Sequence, residues 1–210
     1  MPALTRARTI LEESLASKPP VVTVLWVVIC MAVYGASMIG AIDGSSLAMS
    51  PATVRDEPAT LITSMFMHGD LTHLGMNMLG LWLFGSVIER EIGSIFVGLA
   101  LLVSGIAGGL AFIALEAGSH TQVVGASGSV FGIMGALLLL HVLRRSGSVG
   151  AVLVLVAVNT VYGFVVPGIA WQAHLGGLVA GAAMGLLAVP VLDTRRRREI
   201  ERARSRTVER

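Results

Sequence analysis

The sequence predicts an all-α membrane protein built from six transmembrane helices. Hydrophobic residues make up 54% of the 210-residue chain and charged residues only 13%, about half of the charged share of an ordinary soluble domain. The mean hydropathy is +0.80. A helix needs about 20 apolar residues to cross a bilayer, and several runs without Asp, Glu, Lys or Arg provide that length. These runs are residues 19–42, 71–88, 92–115, 117–143 and 146–192.

Six spans fit into these runs. The last run is long enough for two helices, and Asn159, Gly163 and the Pro167-Gly168 pair indicate where the chain folds back. A soluble fold with buried core helices is excluded, because no amphipathic helices are available to cover the runs. The first run is longer than the hydrophobic region of a cleaved signal peptide, so we expect a retained anchor. The predicted spans are 21–42, 71–89, 93–115, 126–142, 149–165 and 172–191.

The charges predict the orientation of the chain. The net charge is +2, with +1 in residues 1–20, +4 in residues 193–210 and −3 in the body between them. A groove for nucleic acid would need basic residues in the body, so nucleic acid is excluded as a partner. The positive-inside rule places both ends in the cytoplasm. We therefore expect a plasma-membrane protein with a short cytoplasmic N-terminus at 1–20, a membrane domain at 21–192 and a disordered, Arg-rich cytoplasmic tail at 193–210.

Polar side chains inside the spans gather at one end of the predicted bundle. Polar groups are costly in hydrocarbon and therefore indicate function. Spans two, four and six all run from the outside inwards, so their first residues lie together at the external side. The polar residues near these starts are His73, Asn77, Ser127, Ser129, Gln172 and His174.

Small residues predict which spans touch. Spans four and six both carry a small residue at every fourth position, which lets two membrane helices approach closely. Packing of one ridge on the other would bring Ser127 and His174 together. Generic helix packing, with Ser127 as a helix N-cap, is the alternative interpretation. The ridges are Gly128, Gly132 and Ala136 on span four and Gly177, Gly181 and Gly185 on span six.

Ser127 and His174 have the chemistry of a catalytic pair. A serine hydroxyl is a poor nucleophile until a base takes its proton, and histidine is the usual base. A triad would add a carboxylate, but spans four and six contain neither Asp nor Glu. The sequence therefore predicts a dyad, with Phe131 as a packing surface for the imidazole.

Acyl transfer also requires hydrogen-bond donors for the oxyanion. Asn77 and His73 lie one turn apart on span two, and the backbone N–H of Ser127 lies near the positive end of a helix. Gly125 and Gly128 leave room for a substrate backbone to approach. An interhelical hydrogen-bond pair is an equally good interpretation of His73 and Asn77.

Other intramembrane chemistries are excluded by inspection. A zinc metalloprotease needs an H-E-x-x-H string and an aspartyl protease needs two intramembrane Asp residues, and the spans contain neither. The single cysteine, Cys30, provides neither a disulfide framework nor a Cys-based zinc site. A small transporter would show inverted repeats or a paired intramembrane charge, and neither is visible.

Three motifs resemble those of the rhomboid family of intramembrane serine proteases. They occur in the family's order on spans two, four and six, and the resemblance covers residues 21–192. The matching segments are His73 to Asn77 for H-x-x-x-N, Gly125-Ala126-Ser127-Gly128 for G-x-S-G, and Ala173-His174 through Gly177 and Gly181 for A-H-x-x-G-x-x-x-G.

The resemblance implies a rhomboid-like six-helix bundle of the basic form, without a metal or organic cofactor. It implies an endopeptidase in the lipid bilayer that cleaves transmembrane segments of other proteins. Ser127 would be the nucleophile and His174 the general base, with His73, Asn77 and the Ser127 amide as the oxyanion hole. The competing hypothesis is a catalytically inactive relative that binds membrane proteins for trafficking or quality control. Retention of both Ser127 and His174 argues against it.

The resemblance also concerns the connections between spans. It implies that residues 43–70 lie partly in the outer leaflet, and that span five with residues 166–171 gates substrate entry. Glu89 and Ser94 resemble a family position that ties helix ends together. One departure is that Ala59-Thr60 stands where the family often has a Trp-Arg pair.

Overall fold

The computed structural model describes residues 19–144, 149–165 and 168–208, and these residues form a bundle of long helices. The loop between the first two helices contains a 3₁₀ turn, Gly44–Leu47, and a short helix, Thr60–Thr63. The second helix includes one π-helical turn, Leu81–Gly85. The long helices are α1 Val21–Met38, α2 Leu71–Ile92, α3 Ser94–Leu115, α4 Ser127–Arg144, α5 Val149–Val165 and α6 Trp171–Val208.

The predicted all-α membrane fold is confirmed. Within the described ranges, five helices are long and apolar enough to cross a membrane, and α5 is apolar but has only 17 residues. The first helix ends at Met38, earlier than predicted, because Gly40 adopts a φ of 70° that a continuing helix does not allow. The predicted N-terminal segment up to residue 18 and the loop residues 145–148 and 166–167 lie outside the described residues.

The helix α6 extends into the Arg-rich tail at 193–210, for which the sequence predicted disorder. It continues from the membrane span to Val208 without interruption. Arg and Glu have a high helix propensity, and both occur repeatedly in residues 193–208. The composition that suggested disorder is therefore compatible with a charged helix.

The helix α4 is the centre of the bundle. Of the residues in its apolar span, 61% are buried, compared with 11% in the span of α1. It packs most extensively on α6 and α3. The outer helices expose large apolar side chains, among them Leu25, Leu99 and Leu187, and an apolar surface of this extent indicates contact with lipid.

The helices α4 and α6 pack backbone against backbone along the two small-residue ridges. A Cβ added to Gly177 would collide with the backbone carbonyl of Gly128. One turn further, a Cβ on Gly181 would collide with the carbonyl of Gly132. The two ridges identified in the sequence therefore face each other, and their close approach depends on the missing side chains.

The helix α3 lies against both members of this pair. A Cβ on Gly108 would come within 2.6 Å of the Ala173 carbonyl oxygen at the start of α6. The buried Ser129 hydroxyl of α4 donates a hydrogen bond of 2.7 Å to the Leu101 carbonyl of α3. The helices α3, α4 and α6 thus form one closely packed unit.

Glu89 joins three helices at the end where α2 leads into α3. One carboxylate oxygen accepts hydrogen bonds from the Val22 N–H at 2.9 Å and the Ser94 hydroxyl at 2.6 Å. The other accepts from the N–H and hydroxyl of Thr23 at 2.8 and 2.7 Å. A carboxylate at a helix N-terminus satisfies free N–H groups and interacts favourably with the helix dipole. Glu89 therefore caps α1 while joining α2 to α3.

The loop between α1 and α2 packs on the opposite end of the bundle. Met49 and Val123 exchange two backbone hydrogen bonds of 3.1 and 2.8 Å. The Gly125 N–H donates to the Ser64 carbonyl at 2.8 Å. This loop therefore fixes the segment that precedes α4, in addition to connecting α1 to α2. A small apolar cluster at this place contains Met49, Val54, Phe112 and Ala173.

We predict that Gly181→Ala destabilises the bundle, because the new methyl group must displace the α4 backbone. Overpacking of this kind costs about 1–3 kcal/mol, which a thermal unfolding curve in detergent will detect. The matched control is Gly35→Ala in α1, where an added Cβ meets no atom within 4 Å. An unchanged unfolding temperature for Gly181→Ala would contradict the backbone contact.

We predict that Glu89→Gln also lowers the unfolding temperature, since an amide replaces one carboxylate oxygen with a donor that faces other donors. Hydrogen bonds to a charged group contribute about 1.5–3 kcal/mol. Glu91→Gln is the control, because Glu91 lies on the same helix but is exposed. Equal effects of the two substitutions would show that the Glu89 contacts do not stabilise the fold.

Candidate active site

Ser127 begins α4 at the end of the bundle where α2 and α6 also begin, which we call the site end. Gly125, two residues earlier, adopts a φ of 120°, a conformation that favours glycine. The first hydrogen bond of the helix runs from the Val130 N–H to the Ala126 carbonyl at 2.9 Å. The Ser127 N–H therefore precedes the helical hydrogen bonds, as do all N–H groups in a first turn. The Ser127 side chain is half-buried.

His174 lies in the first turn of α6, and its imidazole stacks on Phe131 of α4. The ring centroids are 4.2 Å apart and the planes are inclined by 11°. The Nδ1 atom has no hydrogen-bond partner among the described residues, and it lies 3.2 Å from the position that a Cβ on Gly163 of α5 would occupy. The ring is thus held by an aromatic face and by α5, without a carboxylate.

The structure brings Ser127 and His174 to adjoining first turns. Gly128 follows Ser127 and Ala173 precedes His174, and these two residues are close together. A Cβ added to Gly128 would lie 3.5 Å from the Ala173 carbonyl oxygen. Phe131 lies one turn after Ser127 on α4, so the phenyl ring that carries the imidazole shares a helix face with the hydroxyl. Within the described ranges, the Ser127 hydroxyl and His174 form no hydrogen bond, and catalytic contacts are often loose without substrate.

His73 and Asn77 lie on the face of α2 that is turned towards α4. The His73 ring covers Gly125, with Nε2 2.7 Å from the position of an added Cβ. Asn77 is buried, and its side-chain amide donates a hydrogen bond of 2.9 Å to the His73 carbonyl. Asp70 caps α2 by accepting from the His73 N–H at 2.8 Å. One amide hydrogen of Asn77 thus stays available for another acceptor.

A cavity of about 70 Å³ adjoins the His174 imidazole. It lies between α4, α5 and α6, and apolar side chains form most of its wall. Phe164 of α5 stacks on Trp171 of α6 at its edge, with ring centroids 4.7 Å apart. The cavity is lined by Phe131, Thr160, Phe164, Trp171, His174, Leu175 and Leu178.

Sequence comparison decides the family. The family model described as the Rhomboid domain matches residues 55–191, more than half of the chain. The chain belongs to the rhomboid family. The matched range contains His73, Asn77, Ser127 and His174. With its apolar helices, this rhomboid is an integral multi-pass membrane protein.

The rhomboid is similar to several curated relatives. It is 36% identical over 134 residues to Rhomboid protease GluP of Bacillus subtilis, which covers 60% of this chain and 26% of that protein. It is 40% identical over 138 residues to RHOMBOID-like protein 4 of Arabidopsis thaliana, with 63% and 34% covered. It is 36% identical over 150 residues to Rhomboid-type serine protease 2 of Emericella nidulans, with 68% and 29% covered. The rhomboid thus matches well under half the length of these relatives.

His68, to which the sequence alone assigns no role, also belongs to the site. It is fully buried, its Nε2 accepts a hydrogen bond of 3.4 Å from the Ala126 N–H, and its ring meets His73 edge to face at 5.2 Å. Burial, and next the neighbouring His73, lower the pKa of His68 to about 4. The ring is therefore neutral near pH 7 and supports the residue that precedes Ser127.

A second contact that the sequence does not predict joins Gln172 to Glu116. The Gln172 amide donates a hydrogen bond of 2.7 Å to the Glu116 carboxylate at the end of α3. The order of the spans could have indicated this contact. Successive spans cross the membrane in opposite directions, so α3 ends on the side where α6 begins.

Among the residues that the structure describes, no group of three His, Cys, Asp or Glu side chains could hold a metal ion. Catalysis without a cofactor stays a prediction.

We predict that His68 makes the fold sensitive to acid. Its pKa is about 4 in the folded protein against 6.5 for an ordinary histidine, so the unfolded chain binds the extra proton first. Above pH 6.5 His68 is neutral in both states and does not reduce the free energy of unfolding. As the pH falls from 6.5 towards about 4, the unfolded chain gains a proton that the folded protein does not, so the free energy of unfolding decreases.

His68→Gln tests this, because glutamine keeps an acceptor near the Nε2 position but does not titrate. Between about pH 7 and pH 4.5 the unfolding temperature of the variant should fall less than that of the wild type. His120→Gln, at an exposed position of a loop, should follow the wild type. Parallel curves for all three proteins would contradict the prediction.

Proposed function

We propose that this rhomboid is an intramembrane serine endopeptidase that cleaves transmembrane segments of other membrane proteins. Ser127 acts as the nucleophile and His174 as the general base. The observation that carries the proposal is the stacking of the His174 imidazole on Phe131, one helical turn from Ser127, at 4.2 Å. The printed names of two relatives, Rhomboid protease GluP and Rhomboid-type serine protease 2, support a protease.

The proposed reaction uses two acyl-transfer steps. The Ser127 hydroxyl gives its proton to His174 while its oxygen attacks the carbonyl carbon of the substrate peptide bond. The imidazolium then donates this proton to the departing amine. A water molecule then attacks the acyl carbon while His174 takes its proton. The imidazolium donates a proton to the Ser127 oxygen as the bond between this oxygen and the acyl carbon breaks, which restores both residues. A base without a carboxylate partner must be oriented by packing, and the Phe131 ring provides such packing.

The proposed oxyanion hole consists of the Ser127 N–H and the side chains of His73 and Asn77. The Ser127 N–H is a free donor of a first helical turn. Asn77 contributes the amide hydrogen that is not bonded to the His73 carbonyl. His73 lies over Gly125, close to the chain that enters α4. Preorganised donors of this kind reduce the activation barrier because they need no rearrangement when charge develops.

We place the site end on the external side of the plasma membrane and both termini in the cytoplasm. The positive-inside rule supports this orientation. Substrate would enter beside α5, whose Gly163 and Phe164 meet α6 at His174 and Trp171. Residues 43–70 would then lie at the outer leaflet.

We predict covalent labelling of Ser127 by a serine-directed fluorophosphonate in the detergent-solubilised protein. Ser127→Ala should abolish labelling, and His174→Ala should slow it about 10²–10⁴-fold, as expected for loss of a general base. Ser129→Ala is the control, because Ser129 is the other hydroxyl in this turn and donates to Leu101. Mass spectrometry of the labelled peptide identifies the modified residue.

The inactive-relative hypothesis makes the opposite prediction. If the wild type labels no better than Ser127→Ala, the protease proposal fails and a binding role is supported. If labelling occurs, incubation with single-span membrane proteins and sequencing of the products identifies the substrate. Ser127→Ala serves as the blank in that assay.

A further inference from the structure

The position of the catalytic base depends on the first turn of α6. His174 has no hydrogen bond at Nδ1 within the described residues, so no side chain fixes the imidazole by a directed contact on that atom. Stacking on Phe131 restricts the plane of the ring but allows it to slide in that plane. Whatever fixes the first turn of α6 therefore also fixes the imidazole relative to Ser127.

One face of α3 holds this turn. Gly108, Phe112 and Glu116 follow each other at four-residue intervals, so they line one side of α3. A Cβ on Gly108 would come within 2.6 Å of the Ala173 carbonyl oxygen, and Phe112 packs in the same apolar cluster as Ala173. The face therefore ends at Glu116, which meets Gln172.

The contact between Gln172 and Glu116 is short and buried on the glutamine side. The Gln172 Nε2 donates to the Glu116 Oε1 at 2.7 Å, and Gln172 is only 6% exposed. Hydrogen bonds to a carboxylate are shorter and stronger than those between neutral groups. Backbone packing against Gly108 already holds this turn close to α3, and the bond to Glu116 adds one specific polar contact at its start.

The location of Glu116 is unfavourable for α3 itself. Glu116 is the C-cap of that helix, and its N–H donates to the Phe112 carbonyl at 2.9 Å. A negative charge at a helix C-terminus opposes the helix dipole. A carboxylate at this place is therefore better explained by its contact with α6 than by the stability of α3.

We propose that Glu116 and Gln172 form a positioning pair that fixes the first turn of α6, and thereby holds His174 in place to deprotonate Ser127. In this role both residues act through His174 and not on the substrate. The inference rests on the proposed function, because it concerns the rate at which Ser127 reacts. The expected signature is that Ser127 loses reactivity when the pair is broken. The reactivity should return whenever one residue of the pair can donate and the other can accept a hydrogen bond.

The test measures the rate constant of fluorophosphonate labelling in detergent, together with the unfolding temperature of each variant. Gln172→Glu places two carboxylates against each other and should slow labelling about tenfold to a hundredfold, the range expected for a small misplacement of catalytic groups. Glu116→Gln keeps the acceptor oxygen and should label at nearly the wild-type rate. The double variant with Glu116→Gln and Gln172→Glu reverses the donor and the acceptor and should recover most of the rate.

Gln122→Glu is the matched control, since it adds the same charge on an exposed loop at the site end and should label like the wild type. Equal labelling of the wild type and Gln172→Glu would overturn the positioning pair while leaving the protease proposal intact. Slow labelling of the double variant at a wild-type unfolding temperature would also overturn it. Absence of labelling in the wild type would instead refute the proposed function.

Discussion

The backbone contact between α4 and α6 is the constraint on which the candidate site depends. Ser127 and His174 lie on different helices, separated by a long stretch of chain, and a short hydroxyl reaches an imidazole only if the helix axes are close. Gly177 against the Gly128 carbonyl provides this closeness. In lipid the hydrophobic effect does not press helices together, so van der Waals contact between small residues must do so. The two helices that carry the proposed dyad are also those with the tightest backbone contact.

A proposed dyad built in this way does not need a third side chain to be ordered. In a soluble triad a carboxylate fixes the tautomer and the direction of the base. An ionised carboxylate beside His174 would have to be buried in the bundle, where desolvation is costly. Here the stacking on Phe131 restricts the ring, and the packing of α6 on α3 and α4 restricts the helix that carries it. Polar contacts such as the one between Gln172 and Glu116 lie at the end of the bundle, where the cost of burial is lower.

The sequence was sufficient to predict the six apolar helices, the common end of α2, α4 and α6, and the two glycine ridges, because these follow from local composition and from counting the spans. It did not predict the packing of Met49 on Val123, the burial of His68 or the contact of Gln172 with Glu116. Those contacts join residues far apart in the chain, and loops carry no periodicity from which their partners can be inferred. The composition of residues 193–208 fits both a disordered segment and a helix, because Arg and Glu have a high helix propensity.

The helices of the bundle are held by contacts of different kinds. The backbones of α3, α4 and α6 touch at glycines, and Glu89 joins α1, α2 and α3 by four hydrogen bonds at the other end. By contrast, α5 meets the site through the approach of Gly163 to the His174 ring and the stacking of Phe164 on Trp171. Such side-chain contacts can separate without moving the glycine-packed helices, whereas displacement of α3, α4 or α6 would separate Ser127 from His174. The proposed entry of substrate beside α5 is therefore compatible with an intact proposed dyad, because α5 lies outside the glycine-packed unit.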